Sequence, residues 1–288
     1  MPSCEHSAYS LRRRHLVVGD AIPVVPRLRA DLLAHSRKRD TQQRSSAGRE
    51  MTRPFTVHHC DQKSAEWLQL RAARLTGSRA PLAFMKTLAG KWKADRKNLV
   101  TTMTLEAVTK LPQERKAGGY QIRDGETREP HARRFYEVST GLVVRECGFI
   151  SDNEIPIGCS PDGYIGDFEG LVSIKCPLAA THLETLTRLH EWTQAQQLPA
   201  EQIAAMTLKA HTLIIPEEYR WQIQHELYVT GAAWCDYLSY DASFPVSLRS
   251  VVVRVLRTDF DWSEYQTLVQ EFLAEVDAEV EKVTGLAA

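Results

Sequence analysis

Asp162, Ser173 and Lys175 are the residues around which this chain could do chemistry. They lie in the stretch Gly158 to Pro177, which reads G-C-S-P-D-G-Y-I-G-D-F-E-G-L-V-S-I-K-C-P. Ser160-Pro161-Asp162-Gly163 reads as a turn leaving a strand, and Gly166-Asp167-Phe168-Glu169-Gly170 as a hairpin tip. Leu171 to Cys176 is a short apolar run around a single Lys, a strand by its length and β-branching. Side chains alternate along a strand, so Leu171, Ser173 and Lys175 share one face and Val172, Ile174 and Cys176 the other. A lysine among buried strand residues is costly unless an anion faces it. Asp162, on the neighbouring strand, is the natural partner.

A Pro-Asp followed by an acid-x-Lys on the next strand is the P-D…(D/E)-x-K pattern of metal-dependent nucleases. In that pattern the Asp and the second acid hold Mg²⁺, and the Lys orients or activates the attacking water. Pro161-Asp162 and Lys175 fit it, whereas Ser173 stands where the second acid belongs. P-D and S-x-K are short patterns. A plain hairpin with a surface Asp and a snorkelling Lys fits the same residues.

Five blocks, in order from about Trp67 to Tyr240, resemble the bacteriophage lambda exonuclease and YqaJ-like viral recombinase family. They are S-A-E-W-L-Q-L-R-A-A-R-L-T-G-S, G-E-T-R-E-P-H-A, G-C-S-P-D-G, S-I-K-C-P and Y-R-W-Q-I-Q-H-E-L-Y-V-T-G. The resemblance implies an α/β fold of the restriction-endonuclease type, with a central mixed sheet flanked by helices. It implies a 5′→3′ exonuclease on linear double-stranded DNA that leaves 3′ single strands for phage-type recombination. The implied cofactor is Mg²⁺, or Mn²⁺ in its place. The implied partners are a single-strand annealing protein and further copies of the chain in a ring-shaped homotrimer. The compartment would be the cytoplasm of a bacterial host or phage-infected cell.

Carried over by position, the resemblance gives Asp162 and Glu129 to the metal, Lys175 to the water and Gln222 to orienting the site. It gives Arg71, Ser78 and Ser160 to the 5′ phosphate, for which guanidinium and hydroxyl donors are suited. The family's basic residue six positions after the Lys is here Thr181, with His182 as a weak substitute. A serine at 173 removes one charge from around a hard cation. Glu226, Glu184 and Glu169 are candidates to replace it. Otherwise Asp162 and Glu129 hold the metal weakly, or the chain is a catalytically impaired protein that binds DNA ends.

The elements that must position these residues follow from periodicity. Ser64 caps a helix through Trp67, Leu70 and Arg71. Ala80 to Lys116 reads as interrupted helix, with Lys86, Lys91, Lys93, Arg96 and Lys97 around Trp92; such a cluster either tracks a DNA backbone or is a solvated face. Gly118-Gly119 breaks that pattern. Gly125 suits a close turn, after which Thr127 to Pro130 begins a helix with Glu129, Ala132, Arg133 and Tyr136 on one face. Leu142 to Ile150 is strand-like. Thr181 to Gln197 is helical, and Leu198 to Ile215 is a variable connection with a short helix. Glu217 to Gly231 is a helix presenting Tyr219, Gln222, Ile223 and Glu226 together. Ala233 to Tyr240 and Ser247 to Leu256 are closing strands. Asp261 to Thr284 is an amphipathic helix with Tyr265, Leu268, Val269, Phe272, Leu273, Val276 and Val280 on its apolar face.

Composition bounds the rest. The chain has 288 residues, 43% hydrophobic and 25% charged, with a formal net charge of zero, so no global basic surface marks it as a protein that coats DNA. A local basic groove remains open. Six cysteines without C-x-x-C spacing read as free thiols, and His58-His59-Cys60 lacks the second pair a zinc site needs. No apolar run approaches the ~20 residues of a membrane span. Residues 1–50 hold ten basic against five acidic residues and end in a polar Ser/Arg/Gln-rich stretch, which predicts a disordered basic extension ahead of a nuclease domain at 51–288. Translation from Met51 is the alternative for that segment.

Overall fold

The structure, a computed structural model, describes residues 54–113, 120–195 and 210–286, with backbone alone at 120–126 and 210. The expected extension at 1–50, the Gly118-Gly119 break and the first part of the 198–215 connection lie outside the described residues.

Among the described residues the strands form two four-stranded sheets. The first runs β1 (Phe55–His58), β3 (Phe149–Asp152), β4 (Ile157–Cys159), β2 (Leu75–Thr76); the second runs β5 (Gly163–Ile165), β6 (Gly170–Lys175), β7 (Trp234–Tyr240), β8 (Ser250–Leu256). Both are mixed: β2 lies parallel to β4 and β6 parallel to β7, and the remaining pairs are antiparallel. The sheet expected as one central element is thus divided, and the division falls at Ser160-Pro161-Asp162, between β4 and β5. Pro161 has no N–H to give to a ladder, so pairing ends there. Asp162 sits at the seam.

The helices are α1 (Ala65–Arg71), α2 (Ala80–Phe84), α3 (Ala94–Thr109), α4 (Tyr120–Thr140), α5 (Ala179–Ala195), α6 (Ala210–Ile214), α7 (Glu217–Thr230) and α8 (Trp262–Gly285). Ser64 caps α1 as expected, its hydroxyl accepting from the Trp67 amide. α8 buries Tyr265, Val269, Phe272, Leu273 and Val276, and its stripe packs with Leu99, Val100 and Met103 of α3 into the core of the first sheet. Two smaller cores flank the second sheet. Leu171 joins Ile223 and Leu227 of α7 on one face of β6; Val172 and Ile174 join Ala132 and Tyr136 of α4 on the other. The strict alternation along β6 therefore points Ser173 and Lys175 towards the α7 side.

Two expectations are corrected. α4 begins at Tyr120, not Thr127, so Gly125 lies inside the helix and Pro130 is internal to it. An internal proline costs about 3 kcal/mol, which burial of Ala132 and Tyr136 offsets. The strand expected from Leu142 forms only from Phe149. Glu137 takes the Val144 amide at 2.9 Å, and Arg145 makes only an isolated bridge to Tyr164.

Candidate active site

Asp162 and Lys175 meet as expected. One carboxylate oxygen, Oδ2, accepts from the Ile174 amide at 2.7 Å and from Lys175 Nζ at 3.4 Å. The first bond fastens the seam to the middle of β6; the second pairs the lysine. Lys175 also lies over the Tyr219 ring of α7, 5.3 Å from its centre. Burial by itself would lower the pKa of Lys175, but the carboxylates of Asp162 and Glu226 outweigh it and the net shift is upward. The ammonium form is therefore secure at neutral pH.

Glu129 approaches from α4. Its carboxylate accepts from Arg133 at 2.9 Å, and Arg133 also donates to the Asp162 carbonyl and pairs with Glu146. Burial first, and the negative charge of Asp162 second, raise the pKa of Glu129. Arg128, one residue earlier, donates to the carbonyls of Cys176 and Pro177 and so ties α4 to the turn that ends β6.

Gln222 and Glu226 come from one face of α7, one turn apart, and Gln222 Nε2 donates to Glu226 Oε1 at 2.9 Å. Glu226 is 1% exposed. Its other oxygen, Oε2, is buried without a hydrogen-bond partner, and so is the Oγ of Ser173 on β6. Burial, then the nearby Asp162, push the Glu226 carboxyl up to about 8, with Gln222 and Lys175 pulling the other way. Gly77 makes room for it: a Cβ there would stand 3.0 Å from Glu226 Oε1.

Arg71, Ser78 and Ser160 are gathered around Trp67. Arg71 donates to Ser78 Oγ at 3.0 Å and stacks 4.1 Å from the centre of the Trp67 ring; the Trp67 indole N–H donates to Ser160 Oγ at 2.8 Å. Trp67 thus links the arginine of α1 to the serine two residues before Asp162.

Several candidates go elsewhere. His182 is fully buried between Ser239 Oγ and the Leu248 carbonyl, so it has no ring nitrogen left for a phosphate. Glu184 is exposed and paired with Arg188, and Glu169 is exposed beside the Gly166 turn. Arg96 is buried against Glu275 and the Ala83 carbonyl, so it belongs to the core, while Lys86 stacks on Trp92 and Lys91 and Lys97 stay exposed. Among the described residues no three His, Cys, Asp or Glu side chains converge on one point. None of the described helices is long and apolar enough to cross a membrane.

Reasoning from sequence missed His225. Its Nε2–H is shared between the carbonyls of Leu75 (3.1 Å) and Gly158 (3.2 Å), and Nδ1 accepts from the Tyr265 hydroxyl at 2.8 Å. Both carbonyls can only accept, which fixes the tautomer. The ring clamps β2, β4 and α8 around the segments that bear Ser78 and Ser160.

Residues 66–233 match the YqaJ-like viral recombinase domain. The chain is similar to an alkaline exonuclease, LHK-Exo, from Laribacter hongkongensis, at 31% identity over 78% of this chain and 98% of that one, with a TM-score of 0.61. The same values hold for LHK-Exo in complex with dAMP. A phage related exonuclease from Haemophilus somnus 129PT is 15% identical over 75% of this chain and 96% of its own, with a TM-score of 0.49. Among curated proteins none matches the chain.

Proposed function

The chain belongs to the YqaJ-like viral recombinase family, and from that premise we propose a Mg²⁺-dependent 5′→3′ exonuclease that resects linear duplex DNA to 3′ single strands. It is a DNA exonuclease of the phage type. The observation that carries the finer reading is the Asp162–Lys175 pair at the seam between the sheets, set beside the Trp67, Arg71, Ser78 and Ser160 cluster. That a relative binds dAMP, the kind of mononucleotide an exonuclease releases, supports it.

The donors suit a hard divalent cation, Mg²⁺ or Mn²⁺: Asp162 and Glu129 offer carboxylate oxygens, and Glu226 Oε2 is buried without a partner. Asp162 and Glu129 would hold it. Bound there, such a cation polarises the scissile phosphate and makes bound water a stronger acid. Lys175, held charged between Asp162 and Tyr219, would orient the attacking water and balance the charge that develops on the phosphate. Gln222 fixes the α7 side of the site. Arg71, with Ser78 and Ser160, grips the terminal 5′ phosphate by charge-assisted hydrogen bonds and sets which bond is cut. The same reading includes a ring-shaped homotrimer, a single-strand annealing protein that takes up the product, and action in the cytoplasm of a bacterial host or phage-infected cell.

Digestion of 5′-phosphorylated linear duplex with Mg²⁺ tests the proposal, with wild type, Lys175→Ala and Ser173→Glu run together. Digestion by wild type and its loss in Lys175→Ala is the expected result. Digestion by Ser173→Glu alone would overturn it, and would make the natural chain a catalytically impaired protein that binds DNA ends.

A further inference from the structure

Ser173 leaves the strand-borne acid set of β6 one carboxylate short, and the structure narrows what can make up the difference. Of the three acids that could reach the seam, Glu169 and Glu184 are exposed and turned to the surface. Glu226 is buried on α7, one turn beyond Gln222, with Oε1 close to Gly77 after β2; two turns earlier on the same helix is Tyr219, over whose ring Lys175 lies. Gly77 follows β2 of the first sheet, and Tyr219 of the same helix meets Lys175 of the second, so α7 carries Glu226 and Gln222 alongside both sheets; the negative charges of Asp162 and Glu226 both raise the pKa of Lys175.

Two features of that carboxylate, and one of Ser173, are those of ligands and not of structural anchors. A buried carboxylate that serves the fold is surrounded by donors, because desolvation without partners costs several kcal/mol. Glu226 receives one hydrogen bond, from Gln222 to Oε1, and Oε2 has none. The Oγ of Ser173, 0% exposed, is likewise unpartnered. And the chain keeps a glycine at 77, where any side chain would crowd Oε1. Two buried oxygens without partners, Ser173 Oγ on β6 and Glu226 Oε2 on α7, are, with the Asp162 carboxylate at the seam, oxygens of the kind a hard cation takes.

We propose that Glu226 supplies the metal-ligand carboxylate that position 173 lacks, so that the acid has moved from the strand to the helix while the site keeps its charge. The inference rests on the nuclease reading above. Gln222 then acts as a positioning residue, holding Oε1 so that Oε2 is presented to the cation.

Mn²⁺ binding to the full chain, measured by isothermal titration calorimetry without DNA, tests this independently of turnover. Three proteins are compared: wild type, Glu226→Gln, and Ser173→Glu combined with Glu226→Gln. The expected result is a tenfold or greater weakening in Glu226→Gln, with recovery to within about threefold of wild type in the double variant, a tenfold change being ~1.4 kcal/mol. Damage to folding by Glu226→Gln would persist in the double variant, so recovery isolates the ligand role. Unchanged Mn²⁺ affinity in Glu226→Gln, or a double variant no better than the single one, overturns the inference. If Glu226→Gln binds Mn²⁺ and still digests duplex DNA with Mg²⁺, only the inference falls. If wild type neither binds nor digests, the nuclease reading falls with it.

Discussion

Two glutamates, Glu106 on α3 and Glu226 on α7, are both 1% exposed, and their surroundings are opposite. Glu106 is saturated. Arg79 grips both oxygens at 2.7 and 2.8 Å, and the amides of Ala73 and Gln113 add bonds at 2.8 and 3.0 Å. Glu226 has one bond and an open oxygen. A buried charge with every partner supplied is architecture: it pins α3 to the bend after α1. A buried carboxyl left partly open, its pKa raised to about 8, is kept at the expense of stability, and such groups gather where chemistry is done.

That contrast can be broken in order of effect. Lys175→Ala should lower the rate of duplex digestion by on the order of 10²–10⁴-fold, with circular dichroism showing an intact fold; a variant that digests normally removes the Asp162–Lys175 pair from the mechanism. Glu106→Ala should destabilise the protein by about 3–5 kcal/mol, because Arg79 is left buried without its counter-charge; urea denaturation reads this directly. The third test is pH. Burial lowers the His225 pKa from 6.5 to about 4, so the unfolded chain takes up this proton first as pH falls. The stability held by the neutral ring is whole above about pH 6.5 and is lost towards pH 4, by up to ~3 kcal/mol. Thermal midpoints between pH 4 and 7 should slope less in His225→Gln than in wild type. The smallest effect is Glu226→Gln in metal-free protein, expected within ~1 kcal/mol of wild type because no cation-bearing partner is orphaned. A loss as large as that of Glu106→Ala would erase the distinction between the two glutamates.

What the sequence disclosed, and what it withheld, follows the same division. The alternation of Leu171, Ser173 and Lys175 against Val172 and Ile174 was legible because strand period alone assigns faces. The stripe on α8 and the cap at Ser64 were legible because both are local. Resemblance brought Arg71, Ser78 and Ser160 together, and the structure adds Trp67 as the piece that joins them. His225 was hidden because a histidine between a Gln and a Glu looks like a solvated helix face; its three partners are 40, 67 and 150 residues away. The Arg79–Glu106 pair and the hold of Arg128 on Cys176 and Pro177 were hidden for the same reason. The turn at Ser160-Pro161-Asp162-Gly163 was read as such, but that it also divides the expected single sheet was not, because which strands pair across a turn is a long-range matter.

Gly77 has a consequence on a different scale, that of descent. A methyl group at this position would meet Glu226 Oε1 and the Gln222 side chain before it met anything else. With Glu226 standing in for the acid absent at 173, as proposed above, residues 77, 173 and 226 should be inherited together. Across relatives, a glutamate at 226 should keep company with glycine at 77 and a non-acidic residue at 173. Lineages with an acid at 173 are free to shrink 226 and to fill 77. The three positions should covary although the first and last lie 149 positions apart, and an alignment in which they vary independently would count against a carboxylate having moved from strand to helix.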